Sequence, residues 1–262
     1  MLSAPCYVLS DAHLGPAPAE AERTLLELLS LARSDARSVV INGDLFDFWF
    51  EWRHVIPRTG FRVLAAMAAL RDAGIDVLWI AGNHDCWGGD VLTRDVGVTY
   101  HLGPWRGSLA GWQALVEHGD GLREKEDAPY RRLRTVLRNP WAIRLFRRLH
   151  PDTATRLALR SSHTSRNMRP RDGGEGLQHV AVERLRAEPS LELYVFGHSH
   201  ASTIGRAESG AVFANPGAWM DEPTFLRVTP ESVQLSRLAA GSIEPMKSIE
   251  RAREPRGAAP LP

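Results

Sequence analysis

Short apolar runs separated by amphipathic stretches occupy the first third of the chain. Tyr7-Val8-Leu9, Ser38 to Asn42 and Asp76 to Ile80 are continuous enough for strands buried on both faces. Between them, Ala19 to Ala32 repeats Leu25, Leu28, Leu29 and Ala32 at helical spacing, and Thr59 to Ala73 is a second helical stretch closed by Gly74. This alternation predicts an α/β fold with a parallel sheet covered by helices.

After Asp90 the pattern shortens. Val96 to Leu102 and Leu109 to Glu117 read as antiparallel strands divided by Gly103-Pro104 and Gly107. From Arg123 to about Leu185 the chain is helical and basic, broken at Asn139-Pro140, His150-Pro151 and Arg169 to Gly176, the last predicted as a mobile loop. Leu191 to Phe196 returns to strand. A meander follows over Thr203 to Arg206, Ala211 to Ala214, Thr224 to Val228 and Val233 to Leu235, and the prolines beyond Ile243 predict a disordered tail. The expected architecture is a two-sheet α/β core over residues 1–242, a helical cap inserted at about 122–187, and a tail over 243–262.

Composition narrows the class. At 262 residues, 44% hydrophobic and 24% charged, wholesale disorder is excluded and one large buried core is expected. Two isolated cysteines, Cys6 and Cys86, exclude a disulfide framework and point to a cytoplasmic setting. No run approaches the roughly 20 apolar residues that span a bilayer, and Met1 to Pro5 has no basic segment of the kind that opens a signal peptide. The net charge of +1 hides a division: residues 121–175 hold fourteen Lys/Arg against six Asp/Glu, so the remainder is acidic. An acidic core beside a basic insertion suits an anionic substrate held between them.

The chemistry lies in five blocks: Asp11-Ala12-His13, Gly43-Asp44, Gly82-Asn83-His84-Asp85, Glu117-His118-Gly119-Asp120 and Gly197-His198-Ser199-His200. Each follows an apolar run, so the blocks converge along the C-terminal edge of the sheets. Residues two apart point the same way in an extended chain, which lets Asp11 with His13, and His198 with His200, grip an ion. Asp44 follows a glycine that permits a sharp turn, and its carboxylate can bridge two cations; Asn83 adds a carbonyl oxygen and His118 an imidazole. Mixed nitrogen and oxygen donors suit Mn, Fe, Zn or Co better than Ca or Mg, with a pair of Mn²⁺ ions the first expectation. Two such ions about 3.5–4 Å apart clamp a phosphate ester for in-line attack by a hydroxide held between them. His54, His101, His150, His163 and His179 lie outside these blocks and read as surface or packing residues.

In this order the blocks resemble the calcineurin-like metallophosphoesterases, and the likeness runs from Asp11 to the Gly217 region. Ser10 to Gly15, Gly43 to Trp49, His118 to Asp120, Asp127 to Tyr130 and the insertion before Gly197 are similar to the UDP-2,3-diacylglucosamine hydrolases of lipid A synthesis. The chain departs from the proteobacterial members at His84, where they carry Arg, and at Asn215-Pro216-Gly217. The resemblance implies one metal on Asp11, His13, Asp44 and His200 and a second on Asp44, Asn83, His118 and His198. It further implies substrate contacts at Asn83, Asp127, Arg166 and Arg169.

His84 is the expected proton donor or charge stabiliser, oriented by Asp85. Phe46, Phe48, Trp49, Phe50 and Trp52 form an aromatic group that either packs in the core or walls an acyl or base subsite. Trp141, Leu145, Phe146 and Leu149 line one face of a basic helix, which either packs on the core or meets a membrane surface. The expected substrate is a nucleotide-linked glycolipid cleaved at its pyrophosphate, by a cytoplasmic protein that can sit peripherally on a membrane; no stable nucleic-acid partner is expected. A soluble phosphate ester and, more remotely, a metal-free binding scaffold on the same fold remain alternatives.

Overall fold

The computed structural model describes residues 1–167 and 172–252, without the side chains of 161–167. Strands β1 (Cys6–Leu9), β2 (Ser38–Asn42), β3 (Asp76–Ile80) and β4 (Thr99–His101) run parallel. Beyond β1 the sheet continues antiparallel through β10 (Thr224–Val228), β11 (Ser232–Ala239) and β12 (Ser242–Glu250). A second sheet has the order β5 (Trp105–Leu109), β6 (Trp112–Val116), β7 (Leu193–Val195), β9 (Val212–Asn215), β8 (Thr203–Arg206).

Strand alternation explains why the apolar runs are unbroken. Tyr7, Leu9, Val39, Ile41, Val77 and Trp79 pack under helices α1 (Ala19–Asp35) and α2 (Phe61–Asp72). Their neighbours Cys6, Val8, Val40, Leu78 and Ile80 meet Ala114, Val116, Leu193 and Val195 of the second sheet. The outer face of that sheet is covered by α6 (Glu175–Ala187) through Leu177, Ala181 and Leu185. The cap is then α3 (Ala128–Leu137), α4 (Pro140–Phe146) and α5 (Pro151–Asn167). The insertion expected at 122–187 therefore divides, its last helix forming a core layer and its first three the cap.

Three expectations are corrected. The segment from Ile243 is not a tail as far as it is described: β12 pairs along β11, and Pro245 is accommodated on an edge strand beside a register shift at Leu235/Ser236. Residues 253–262 lie outside the described residues. The strand read over Val96 to Leu102 shortens to β4 and joins β3 in parallel, after a π-helical turn at Val91–Asp95 that the sequence did not signal. Leu109 to Glu117 holds the end of β5, the turn of a β5–β6 hairpin at Ala110 and Gly111, both at positive φ, and β6 as its second arm. Trp105–Leu109, the other arm, was hidden by Gly107.

Candidate metal centre

The loops after β1, β2, β3, β6 and β7 bring the five blocks together. Ligand atoms of Asp11, His13 and His200 lie within 4.8 Å of one another, as do those of Asp44, His118 and His198, and those of His13, Asp44 and His84. Asp44 joins the groups, its Oδ2 standing 3.7 Å from His13 Nε2 and 3.1 Å from His118 Nε2. Asp11 Oδ1 lies 3.4 Å from His200 Nε2.

Backbone shape, rather than extended-chain alternation, aims these side chains. Five of the seven non-glycine residues with positive φ among the described residues are Asp11, His13, Asp44, His198 and His200. Left-handed backbone costs a non-glycine residue on the order of 1–3 kcal/mol and clusters where function over-determines it. The flanking glycines allow the close approach. A Cβ on Gly82 would lie 2.1 Å from Asp44 Oδ1, and one on Gly43 would lie 2.3 Å from His118 Nδ1.

Asp11 and Asp44 each have one carboxylate oxygen held by the protein. Asp11 Oδ2 accepts from Ser10 Oγ at 2.5 Å and from the His198 N–H at 3.0 Å, while Asp44 Oδ1 accepts from the His84 N–H at 2.9 Å. Asp11 Oδ1, Asp44 Oδ2 and Asn83 Oδ1 are buried without a hydrogen-bond partner. Buried polar oxygens rarely stay so unless something else meets them. These donor atoms fit a pair of divalent cations.

The outer nitrogens of the imidazoles are anchored. His118 Nδ1 lies 2.8 Å from the Asn42 carbonyl oxygen, His200 Nδ1 2.9 Å from Asp221 Oδ2, and His13 Nδ1 3.4 Å from Asp47 Oδ1. Such partners fix which nitrogen faces the metal. Sequence reasoning gave no role to Ser10, Asn42, Asp47 or Asp221. Only Ser10 and Asp47 carried a signal, as members of the Ser-Asp-x-His and Gly-Asp-x-x-Asp strings. Asn42 acts through its carbonyl, and Asp221 arrives from a distant loop.

His84 and Asp85 part company. His84 Nδ1 sits 3.0 Å from the Asp47 carbonyl oxygen. A carbonyl only accepts, so Nδ1 carries the hydrogen and Nε2 faces the cluster, 3.9 Å from Asp44 Oδ2. The expected pairing of Asp85 with His84 is wrong. The Asp85 carboxylate accepts from the Gly82 N–H at 2.8 Å, the Leu45 N–H at 2.9 Å and Trp79 Nε1 at 3.2 Å. It is therefore the staple between the loops after β2 and β3.

Electrostatics sort the groups further. Burial pushes the Asp11 and Asp44 carboxyls up, but the surrounding imidazoles, His118 foremost, hold both well below the usual carboxylate range. Burial disfavours charge on His13 as well, yet the neighbouring Asp11, Asp47 and Asp44 carboxylates raise it to about 9. His118 is held well above its ordinary value against burial, chiefly by Asp44 and Asp11. For His84 burial wins and its pKa falls. Burial, with the Asp44 charge added, lifts Asp85 to about 7.

Beside the centre a cavity of about 400 Å³ opens under the cap. Asp47, Asn83 and His84 stand at one end, and Phe48, Phe50, Trp87, Leu137, Ile143, Phe146 and Ala158 line the rest. The aromatic group after Asp44 thus splits: Phe46 and Trp49 enter the main core, while Phe48, Phe50 and Trp52 pack with Ala154 and Phe146 under the cap.

The remaining candidates fare differently. Asp127 is buried in contact with Arg123 and stands outside the residues that line the cavity. The Arg166 side chain and residues 169–171, which open the expected loop, lie outside the described residues.

The profile of the calcineurin-like phosphoesterases matches residues 4–202. The chain belongs to that family. Within it, a UDP-2,3-diacylglucosamine hydrolase from Porphyromonas gingivalis is 33% identical over 219 residues, covering 74% of this chain and 82% of its own. A hydrolase of the same name from Neisseria meningitidis serogroup C is 32% identical over 229 residues, covering 86% and 94%. One from Pseudomonas fluorescens is 27% identical over 234 residues, covering 87% and 93%. The chain is a phosphoesterase whose His/Asp cluster suits the family's dinuclear metal chemistry.

Proposed function

We propose that this phosphoesterase hydrolyses the pyrophosphate bond of UDP-2,3-diacylglucosamine, releasing UMP and 2,3-diacylglucosamine 1-phosphate. The apolar cavity that begins at Asn83 and His84 carries this reading, because it gives acyl chains a dry wall beside the reacting phosphates. A soluble nucleotide or sugar phosphate has no use for that wall.

Asp11, His13, Asp44 and His200 would hold one divalent cation, and Asp44, Asn83, His118 and His198 the other, with Mn²⁺ the first choice. The pair supplies Lewis acidity to the phosphate oxygens and lowers the pKa of water. Water adds to phosphorus and the pyrophosphate P–O bond breaks. Since Asp47 takes the Nδ1 hydrogen of His84, Nε2 is the atom left to exchange a proton with substrate. Protonated beside an anionic pyrophosphate, it stabilises charge on the phosphoryl oxygens or donates to the leaving oxygen.

The cap surface supports delivery from a membrane. Leu133, Val136 and Leu157 line the cavity and are also exposed, so its apolar wall runs out to the surface. Among the described residues, seven of the twelve exposed large apolar ones fall between Leu133 and Leu159. Residues 128–150 carry seven arginines and no acidic residue. That combination suits an anionic lipid surface met peripherally from the cytoplasm; no described helix is long and apolar enough to cross a membrane.

The test offers purified protein with Mn²⁺ both UDP-2,3-diacylglucosamine and bis-p-nitrophenyl phosphate, with products identified by mass. UMP and the lipid sugar phosphate are expected. Turnover of the aryl ester alone would sink the lipid reading.

A further inference from the structure

Arg123 stands where the chain leaves the core for the cap, five residues after His118. Its guanidinium is buried against Asp127, with Nη2 and Nε donating to Oδ1 at 2.7 and 3.2 Å, and its backbone N–H donates to Oδ2 at 2.9 Å. Asp127 immediately precedes α3. One turn into that helix, Arg131 Nη1 donates to the Arg123 carbonyl at 2.7 Å. Arg123 therefore holds the first turn of α3 from both its side chain and its backbone.

The returning chain meets the same residue. Asp172 Oδ2 lies 3.8 Å from Arg123 Nη1, and the Asp172 carboxylate accepts from the Gly174 and Gly176 N–H groups at 3.0 and 3.1 Å as the chain enters α6. A Cβ on Gly176 would stand 3.0 Å from Arg123 Cδ, so the return packs on the arginine stem. One side chain thus joins both connections between core and cap. The α3 helix whose start it fixes contributes Tyr130, Leu133, Val136 and Leu137 to the cavity wall. The metal ligands, by contrast, sit on loops of the core strands; α3 reaches their blocks at Asp120, which accepts from the Tyr130 hydroxyl at 2.6 Å and is not itself one of the ligands.

We propose that Arg123 is a specificity-determining positioning residue: by pinning Asp127 and Asp172 it sets the angle at which α3 walls the cavity, and so admits an acylated substrate without touching it. This rests on the acyl-chain reading of the cavity given above. Removing the guanidinium leaves the buried Asp127 carboxylate without its partner charge, a loss that a surface pair would not cause.

The test compares Mn²⁺-loaded wild type with Arg123→Ala and the milder Asp172→Asn, measuring kcat and KM for UDP-2,3-diacylglucosamine and for bis-p-nitrophenyl phosphate. For Arg123→Ala, kcat/KM on the acylated substrate should fall on the order of tenfold to a hundredfold, mostly through KM, as expected when a positioning wall shifts. The aryl ester should keep its kcat/KM within about twofold. Asp172→Asn should move the same ratio in the same direction by less, and it decides the matter should Arg123→Ala fail to fold. A parallel fall on both substrates, or no change on either, would make Arg123 an element of stability alone and overturn the inference. Failure of the wild type itself on the acylated substrate, with the aryl ester turned over, would instead defeat the reading on which it rests.

Discussion

Oδ1 of Asp47 lies 3.4 Å from Nδ1 of His13, and the carbonyl oxygen of the same residue lies 3.0 Å from Nδ1 of His84. One residue thereby orients both His13 and His84, the first through its side chain and the second through its backbone. Asp47→Ala should therefore weaken the metal site that uses His13 by about 10–100-fold and leave the hold on His84 in place. A Mn²⁺ titration followed by calorimetry reads this directly. Equal affinity in variant and wild type would remove Asp47 from the site.

His118→Ala should abolish turnover and leave a cooperatively folded protein, because the side chain meets the centre and contributes little to the apolar layers. Turnover measured beside a circular-dichroism melt separates the two. An unchanged rate would refute His118 as a ligand.

The cavity should set acyl preference. Ala158→Trp places a large ring among Phe48, Phe146 and Ile143. It is expected to raise KM for UDP-2,3-diacylglucosamine on the order of tenfold, as loss of roughly two buried methylenes would, and to spare the aryl ester. Equal effects on both substrates would count against acyl chains in this cavity.

On the cap surface Trp141 is 75% exposed and Leu145 68%. Trp141→Glu with Leu145→Glu should release the protein from anionic vesicles in a sedimentation assay, with hydrolysis of the soluble ester unaffected. Retention on the vesicles would place the contact elsewhere.

Acidity should act oppositely on folding and on metal loading. In the metal-free protein His13 titrates near 9, above its ordinary 6.5. The stability its proton contributes is complete below about pH 6.5 and is lost as pH rises through about 9. Asp85, lifted from 3.8 to about 7, acts in the same sense between those values. Metal-free protein should therefore melt at a lower temperature at pH 9 than at pH 6.5. Cations must displace the His13 and His118 protons, so Mn²⁺ affinity should rise with pH and binding should release protons. Calorimetry at pH 7 in buffers of different ionisation enthalpy measures that release, and its absence would contradict the charge state assigned to the cluster.

Parts of this molecule were legible before any coordinates. Leu25, Leu28, Leu29 and Ala32 repeat at the helical period and are buried under β1 and β2 as that period requires. The ligand blocks were legible too, since chelating residues after apolar strands have few other uses. Backbone acceptors left no trace: the Asn42 and Asp47 carbonyls act without regard to their side chains. The Trp141 to Leu149 face was ambiguous for another reason. A helix under two turns long carries apolar residues on several sides, and only Phe146 found the Phe48 and Phe50 rings, while Trp141 and Leu145 stayed outside.

The sequence by itself determined the layers, the family and the blocks that form the His/Asp cluster, because periodicity and ligand chemistry are local properties of the chain. Only the tertiary structure decided that Asp85 staples loops, that Asp127 belongs to Arg123, and that Asp47 serves two histidines. Those partners are chosen by which side chain the fold carries within about 3 Å of another, and hydrogen bonds fall off too steeply with distance and angle for spacing along the chain to foretell them.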